Sequence, residues 1–345
     1  MKKILLSLSS LALAFTANAT VLTVNNTNIS AGQYLTVQAA VDAASAGDTL
    51  YVHDSKIMYV APLLNKRLVI IGAGYKTDIA TNNYGTFIER IDINCTTAAA
   101  SGSIFKGFQM YGVSKPMGTS DINNITIERC QINQLVIIGS NWKVLNCIVN
   151  FDIQIQYHSN ILISNNLLYN IASSDKPTVL IVNNVFSHIY QGSASNNFYV
   201  DVTDATFANN IIMEKYSSIT VNSGTTNVFN RNIFLHSNVS NFINYPTAGN
   251  TGSGNVNTVD PQFISNIPFT PYLYYYNYDW RLRAGAISKN YGTDGTDVGI
   301  YGGAYPNPNL SGLCPIPVVL SMDIQNTVIP VNGTLNVDFK ARKQK

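Results

Sequence analysis

Apolar and polar positions alternate in short runs along the middle of the chain, and one composite run recurs at intervals near twenty residues. Four segments repeat it closely: ILISNNLLYN from Ile161, VLIVNNVFSH from Val179, ATFANNIIME from Ala205 and NVFNRNIFLH from Asn227. Each consists of an alternating apolar run, a polar pair that ends in Asn, and a second apolar run. Two earlier segments, ITIERCQI from Ile125 and WKVLNCIV from Trp142, have Cys in the place of that Asn.

The repeated position defines one column through the chain, whose members are Cys130, Cys147, Asn166, Asn184, Asn210 and Asn232. Successive members are 17, 19, 18, 26 and 22 residues apart, which is close to one turn of a parallel β-solenoid. Equivalent positions in such a fold stack about 4.8 Å apart, so each Asn can bond to the next and satisfy the backbone of the bend. The pattern therefore predicts an all-β solenoid with a structural ladder of these residues.

A β-sandwich with Asn-rich turns is the alternative fold. It would place hairpin signals such as Asn-Gly between its strands. The bends of the repeat contain none, and the period is longer than that of a hairpin. We therefore favour the solenoid.

The two cysteines of the column are expected to be free, buried thiols. Stacked coils would bring their Cα atoms within range of a disulfide, which leaves that bond as the alternative. Parallel Cβ vectors disfavour it.

The two ends of the repeat region have a different pattern, as expected where the open ends of a solenoid must be covered. Between Tyr34 and Val52, apolar residues at helical spacing precede a strand-like run. We divide the chain into four parts: a signal peptide at 1–19, an N-terminal cap and first coil at 20–66, the β-helix with C-terminal closing coils at 67–306, and a Pro-rich linker with a short β-strand tail at 307–345.

The first 19 residues have the pattern of a secretory signal peptide. Lys2 and Lys3 precede an apolar run, and small residues stand at Ala17 and Ala19. No later stretch reaches 18 uninterrupted apolar residues, so we expect no membrane span. The expected location is secreted, periplasmic or on the cell surface.

Charge excludes one class of partner. Only 12% of the residues are charged, and the formal net charge is +2. Two cations lie in the expected leader and four in the last six residues, so the body between them has a formal charge of −4. A body of that sign lacks a general basic surface, and we expect no nucleic-acid partner.

Several segments resemble the pectate-lyase-like superfamily of right-handed parallel β-helix proteins. YLTVQAAVDAASAGDTLYV from Tyr34 resembles the N-terminal cap of that family, and RLVIIGAG from Arg67 and SGSIFKGFQM from Ser101 resemble its first coils. DPQF from Asp260 and DWRLRAGAISKNYGTDGTDVGIYGG from Asp279 resemble its closing coil and turn. The resemblance implies a right-handed parallel β-helix with an N-terminal capping helix.

The same resemblance implies an exported protein that binds or processes extracellular polysaccharide, and any enzyme would be a polysaccharide lyase or a glycoside hydrolase. The motifs of characterised branches are missing: the sequence has neither paired aspartates with Gly-His-Gly nor Trp-x-Asp-His. The alternative is therefore a non-enzymatic, adhesin-like or structural solenoid that binds surface glycans or proteins. Under both hypotheses we expect the protein to be a monomer.

Candidate catalytic residues follow the column at a fixed distance. Four positions after the Asn of successive coils stand Asn170, His188, Glu214 and His236. Stacked side chains of these types have the chemistry of an acid–base or metal constellation. Polar decoration of a strand end is the alternative. No metal or cofactor is assigned by this pattern.

Two further segments have candidate chemistry. Tyr272, Tyr274, Tyr275 and Tyr276 form an aromatic cluster that could stack on sugar rings, and a lid over the last coil is the alternative. The segment DGTDVG contains Asp294 and Asp297 but lacks the remaining oxygen ligands of an EF-hand loop. We expect a turn there and no calcium site.

Overall fold

The computed structural model of the chain describes residues 19–343, apart from 28–31, 77–83, 156–157, 174–177, 188–199, 215–225, 237–248, 258, 268–277, 308–309, 311, 315–316, 326–327 and 329–330. The described residues form a parallel β-solenoid, which confirms the predicted fold class. No helix among them is long and apolar enough to cross a membrane.

Three sheets run along the solenoid. Sheet A contains β1 (Val21–Val24), β2 (Thr49–Val52), β4 (Val69–Gly72), β7 (Ile104–Lys106), β10 (Thr126–Glu128), β13 (Lys143–Leu145), β15 (Ile161–Ser164), β17 (Val179–Val182), β20 (Thr206–Ala208), β22 (Val228–Asn230) and β24 (Thr251–Ser253). Sheet B contains β5 (Phe87–Ile88), β8 (Gln109–Met110), β11 (Gln131–Ile132), β14 (Ile148–Ile155), β16 (Leu167–Ser173), β18 (Val185–Ser187), β21 (Ile211–Glu214), β23 (Ile233–His236) and β25 (Val256–Asn257).

Sheet C is shorter and contains β3 (Leu63–Leu64), β6 (Ile91–Cys95) and β9 (Val113–Gly118). Two more strands pair with the far ends of sheet B strands: β12 (Leu135–Ile137) with β14, and β19 (Val200–Asp201) with β16. Each described strand in these sheets pairs in parallel with the strand of the coil before or after it. This is the geometry that recurrence of the pattern near twenty residues requires.

Alternate residues of sheet A point into the solenoid and form its core. The inward column includes Leu50, Ile70, Phe105, Ile127, Val144, Ile163, Ile181, Phe207 and Phe229, which are all buried. Parallel pairing in register places each over the next, and the rings of Phe207 and Phe229 stack with centroids 4.8 Å apart. The apolar alternation seen in the sequence is therefore the inside of the coil.

Each coil turns from sheet A into sheet B at one residue with a positive φ. These residues are Gly107, Arg129, Asn146, Asn165, Asn183, Asn209, Arg231 and Gly254. Gly and Asn adopt the left-handed backbone at low cost, which explains the first Asn of each Asn-Asn pair. The residue that follows the bend is the member of the ladder column.

The column asparagines bond in series inside the solenoid. Oδ1 of Asn184 accepts from the backbone N–H of Asn166 at 2.9 Å and from its Nδ2 at 3.0 Å. Nδ2 of Asn184 donates to the carbonyl of Ile163 in the preceding coil at 2.9 Å. Because the column residues are completely buried, these side chains replace water as partners of the bend.

The ladder extends further than the sequence pattern indicates. The same three bonds recur from Asn184 to Asn210 and from Asn210 to Asn232. Asn255 supplies one more rung, since its Oδ1 accepts from the backbone and side chain of Asn232, both at 3.0 Å. Few apolar residues flank Asn255 in the sequence, so the repeat pattern does not reveal this rung.

Cysteine continues the column toward the N-terminus. The N–H of Cys147 donates to Oδ1 of Asn166 at 2.7 Å, and the N–H of Cys130 lies 3.5 Å from Sγ of Cys147. All four cysteines are unpaired and buried. Burial raises the pKa of Cys130, and it raises the pKa of Cys314 to about 12, so both thiols stay protonated at neutral pH.

A short helix lies at the N-terminal end of the solenoid. Helix α1 spans Val37–Ala43, and Oγ1 of Thr36 caps it by accepting from the N–H of Ala39 at 3.1 Å. Val37, Ala40 and Val41 are buried against the first coils. The capping helix predicted between Tyr34 and Val52 is confirmed.

The segment 259–314, here called the C-terminal cover, includes the part of the chain for which we predict closing coils. Its described residues add no strand to sheets A, B or C. They lie instead across the outer face of sheet B and enclose a second apolar core. Cover residues Phe263, Trp280, Leu282, Val298, Ile300 and Leu310 pack there with the outward residues Ile148, Leu167, Val185, Ile211 and Ile233 of sheet B.

Both faces of sheet B are therefore buried in the later coils. Gly299 shows how closely the cover approaches, because a Cβ on this residue would lie 2.9 Å from Cδ1 of Ile211. Unbroken apolar pairs such as Ile211–Ile212 and Ile233–Phe234 are typical of a strand covered on both sides. The earlier coils have Gln109 and Gln131 at the same outward position, and these side chains are only partly buried.

The cover is fixed to the A–B bends of several coils. Nδ2 of Asn165 donates to the carbonyls of Ile300 and Gly302 at 2.9 and 2.7 Å. Arg231 donates to the carbonyl of Tyr291 at 3.1 Å, and at the other end of the cover Arg129 donates to the carbonyl of Leu313 at 2.6 Å. The cover thus runs back along the solenoid and uses the bend side chains as anchors.

The last described elements form a separate antiparallel hairpin. It pairs β26 (Pro317–Ile324) with β27 (Val337–Lys343). This confirms the predicted short β tail. Val328 and Val331 between the strands are exposed.

Asn210→Ala should lower the free energy of unfolding by about 3 kcal/mol. The change leaves the N–H of Asn184 and the carbonyl of Ile181 without partners in the buried bend, and each unpaired buried group costs about 1–3 kcal/mol. Urea unfolding followed by circular dichroism measures the loss. Asn257→Ala, at an exposed position of β25, is the control and should be nearly neutral. Equal midpoints for the two variants would contradict the ladder's role.

Trp280→Ala should lower the unfolding free energy by about 3–5 kcal/mol, because a completely buried indole is lost. Trp280 packs edge-to-face on Phe263 with ring centroids 5.2 Å apart. The comparison variant is Tyr305→Ala, whose side chain is 39% exposed in the same cover. Thermal unfolding measures both variants. A Trp280 variant as stable as the Tyr305 variant would show that the second core contributes little.

Candidate functional site

A row of polar and aromatic side chains follows the edge where sheet B ends. We call it the amide–aromatic row, and it consists of Tyr111, Gln134, Phe151, Asp152 and Asn170. These residues belong to four consecutive coils, each just beyond or within the sheet B strand of its coil. Tyr111, Gln134 and Phe151 are exposed and Asp152 is half-buried, so a ligand can reach these side chains, whereas Asn170 is buried beside them.

Backbone bonds between coils fix the spacing of the row. The N–H of Gln134 donates to the carbonyl of Tyr111 at 3.0 Å, and the N–H of Phe151 donates to the carbonyl of Asn133 at 2.8 Å. Asp152 pairs in register with Asn170. Since neighbouring strands are about 4.8 Å apart, Tyr111 and Phe151 lie two coils, or about 10 Å, apart along the solenoid.

Two aromatic rings of the row are exposed. Tyr111, just after β8, is 50% exposed and Phe151, within β14, is 42% exposed, although the other apolar residues of these two strands are buried. Phe87 supports the Tyr111 ring edge-on, with centroids 5.4 Å apart. Large rings held at the surface next to amides have the composition of a sugar-binding surface, because aromatic faces stack on the apolar faces of sugars.

Asp152 is the acidic member of the row. Its Oδ1 lies 3.4 Å from Nδ2 of Asn170, and its Oδ2 lies 3.5 Å from Nε2 of Gln134. Both contacts are long and come from neutral amides, so the carboxylate keeps capacity to accept further hydrogen bonds. Burial and the nearby Asp152 carboxylate raise the pKa of Tyr169, so this phenol remains protonated at neutral pH.

The structure places two of the three catalytic candidates side by side. Glu214 and His236 are register partners in the parallel pair of β21 and β23. His188 lies outside the described residues. Asn170, which heads the same four-position series, pairs with Asp152. Whether these residues act as acid, base or metal ligand stays a prediction.

A shallow pocket lies close to this pair. Its volume is about 90 Å³, and it is lined by Met213, Leu235, Asp260, Gln262, Phe263, Ser265, Asn266, Ile267 and Arg283. Met213 and Leu235 directly precede Glu214 and His236 in the chain. The pocket therefore lies where the cover meets the last coils.

The remaining candidates lie elsewhere. Tyr272, Tyr274, Tyr275 and Tyr276 fall outside the described residues. The segment that contains Asp294 and Asp297 is a turn of the cover, as expected. Asp294 accepts from Thr296, and Asp297 accepts from the N–H of Asn290 at 2.9 Å and from Nζ of Lys289 at 3.1 Å. Among the described residues, no three His, Cys, Asp or Glu side chains are grouped for a metal ion.

Sequence reasoning missed most of the row. Counting four positions from Cys130 and Cys147 reaches Gln134 and Phe151, so extending the series to earlier coils would have found them. Asp152 is different, because a bulge between Val149 and Asp152 in β14 shifts the register by one residue. A fixed count therefore selects Phe151 where the structure aligns Asp152 with Asn170.

The arrangement is suited to extended contact along the solenoid more than to enclosure of a small molecule. The row presents rings, amide donors and a carboxylate acceptor on consecutive coils. A linear ligand that runs parallel to the solenoid axis would meet one coil after another. Neither protein-family models nor curated proteins give a match to this chain. A functional assignment therefore depends on the fold and on this surface.

Proposed function

We propose that this protein binds an extracellular polysaccharide along the amide–aromatic row. The observation that carries the proposal is the pair of exposed rings, Tyr111 and Phe151, set two coils apart beside Gln134, Asp152 and Asn170. The rings supply apolar faces for sugars, and the polar side chains supply donors and acceptors for hydroxyl groups.

The spacing of the rings favours a polymer. Two coils span about 10 Å, a distance comparable to two units of an extended glycan chain. Alternate sugars can then stack on successive rings while the intervening unit meets the Gln134 amide. A rigid solenoid keeps this spacing fixed, so little ordering is lost when the chain binds.

Two features of the sequence support an extracellular role. Residues 1–19 have the pattern of a signal peptide, and export would place the row in contact with surface or environmental glycans. The segments from Tyr34, Arg67 and Asp279 resemble the pectate-lyase-like superfamily, whose enzymes act on polysaccharides. Fold-level likeness is shared by enzymes and by non-catalytic binders, so the proposal depends on the row itself.

Catalysis is the second candidate function. The observation in its favour is the register pairing of Glu214 with His236, which aligns an acidic residue with a histidine in neighbouring strands of sheet B. Such a pair could cleave a glycan held on the row by lyase or hydrolase chemistry. Release of shortened or unsaturated products, lost in Glu214→Gln and His236→Ala, would support this function. Binding without any product would reject catalysis and support a non-catalytic binding protein.

The aromatic contacts are tested by Tyr111→Ala and Phe151→Ala. Each variant should bind the glycan that the wild-type protein selects on an array about tenfold more weakly. A stacked ring of this size contributes about 1.5 kcal/mol or more to the binding free energy. A glycan array identifies the ligand, and calorimetry measures the affinities. Tyr305→Ala removes an exposed ring of the cover and should bind normally. Unchanged affinity in both row variants would reject the proposed surface.

A further inference from the structure

The charged groups near the row are mostly acidic. At its N-terminal end, Arg90 pairs with Glu89 at 3.0 Å and with Asp92 at 2.8 Å. Two carboxylates thus surround one guanidinium, and Asp92 also accepts from the hydroxyl of Ser114. Tyr111 lies in the next coil, since its N–H donates to the carbonyl of Glu89 at 2.9 Å. This end of the row has a net charge of −1.

The middle of the row adds a carboxylate without adding a cation. Asp152 contacts the amides of Gln134 and Asn170, and no ion pair within the described part of the chain includes it. Glu89, Arg90, Asp92 and Asp152 thus give this side of the solenoid three carboxylates and one guanidinium.

Two cations of these coils are directed to other partners. Lys106 pairs with Glu128 at 2.6 Å in sheet A, and Arg129 donates to the cover. Lys115, four residues beyond Tyr111 on β9, is exposed and lies outside the row. Asp152 is therefore the one charged side chain among the row residues, because Tyr111, Gln134, Phe151 and Asn170 are uncharged.

We propose that the glycan bound by the row is an uncharged polysaccharide and not a polyuronate. This inference rests on the proposed function and narrows its ligand class. A chain with a carboxylate on every sugar would bring like charges within a few ångströms of Asp152, which is unfavourable at a weakly screened surface. Hydroxyl groups of a neutral chain donate to the Asp152 oxygens and accept from the Gln134 amide, without bringing a second negative charge to the row.

The test uses matched probes and the full-length protein. An array presents neutral β-linked oligosaccharides beside the same chains oxidised at C6 to uronates. For the neutral chain that binds best, calorimetry compares its affinity with that of its C6-carboxylate counterpart at about 0.01 M and about 1 M salt, where the screening length falls from about 30 to about 3 Å. We expect the neutral chain to bind at least tenfold more tightly at low salt, and the difference to shrink at high salt.

Asp152→Asn removes the charge and keeps the shape of the side chain. It should strengthen binding of the carboxylated chain several-fold at low salt and change binding of the neutral chain little. Asp42→Asn, on the exposed side of α1, is the control and should leave both affinities unchanged.

Three outcomes would count against the inference, and they differ in what they say of the proposed function. Equal or tighter binding of the carboxylated chain, abolished in Tyr111→Ala and Phe151→Ala, would overturn the neutral-ligand inference and retain the polysaccharide-binding surface. An Asp152→Asn variant with an unchanged preference would also overturn it, since the charge would then be irrelevant. No binding of any array glycan would reject both proposals.

Discussion

The coils of this solenoid have to satisfy the buried backbone groups at the bend between sheets A and B, and from Asn166 to Asn255 the column asparagines meet that requirement. Each side chain fills three roles at once, as acceptor for one N–H and one amide and as donor to a carbonyl of the preceding coil. An unpaired buried polar group lowers the free energy of unfolding, so each bend is stable only when the neighbouring coil supplies its hydrogen bonds. The position of every other feature, including the row and the cover, follows from this repeated connection.

The sequence was sufficient for the fold because both signals of a coil are local. Apolar alternation marks the inward face, and the pair Asn165-Asn166 marks a left-handed residue followed by a ladder residue. It was insufficient for the C-terminal cover, because contacts such as Asn165 with Ile300 join positions 135 residues apart. The paired apolar residues of β21 and β23 did contain a signal of burial on two sides, but they do not identify the partner.

The candidate site was less predictable for two physical reasons. A single-residue bulge in β14 changes which side chain aligns with Asn170, and bulges leave no regular mark on apolar periodicity. The exposed rings of Tyr111 and Phe151 look in sequence like ordinary members of apolar runs, and only three-dimensional exposure separates them from the core. The Glu214–His236 pairing, by contrast, follows directly from counting along the column, since no bulge intervenes.

Nearest-neighbour contacts alone would let a solenoid unravel coil by coil from either end. Here the cover touches bends from Arg231 back to Arg129, so a coil near the C-terminal end cannot peel away without releasing contacts several coils earlier. The cover therefore ties successive coils together along the solenoid axis. A pull along the axis would be shared among several bends, and the coils that the cover joins should resist it as one mechanical unit.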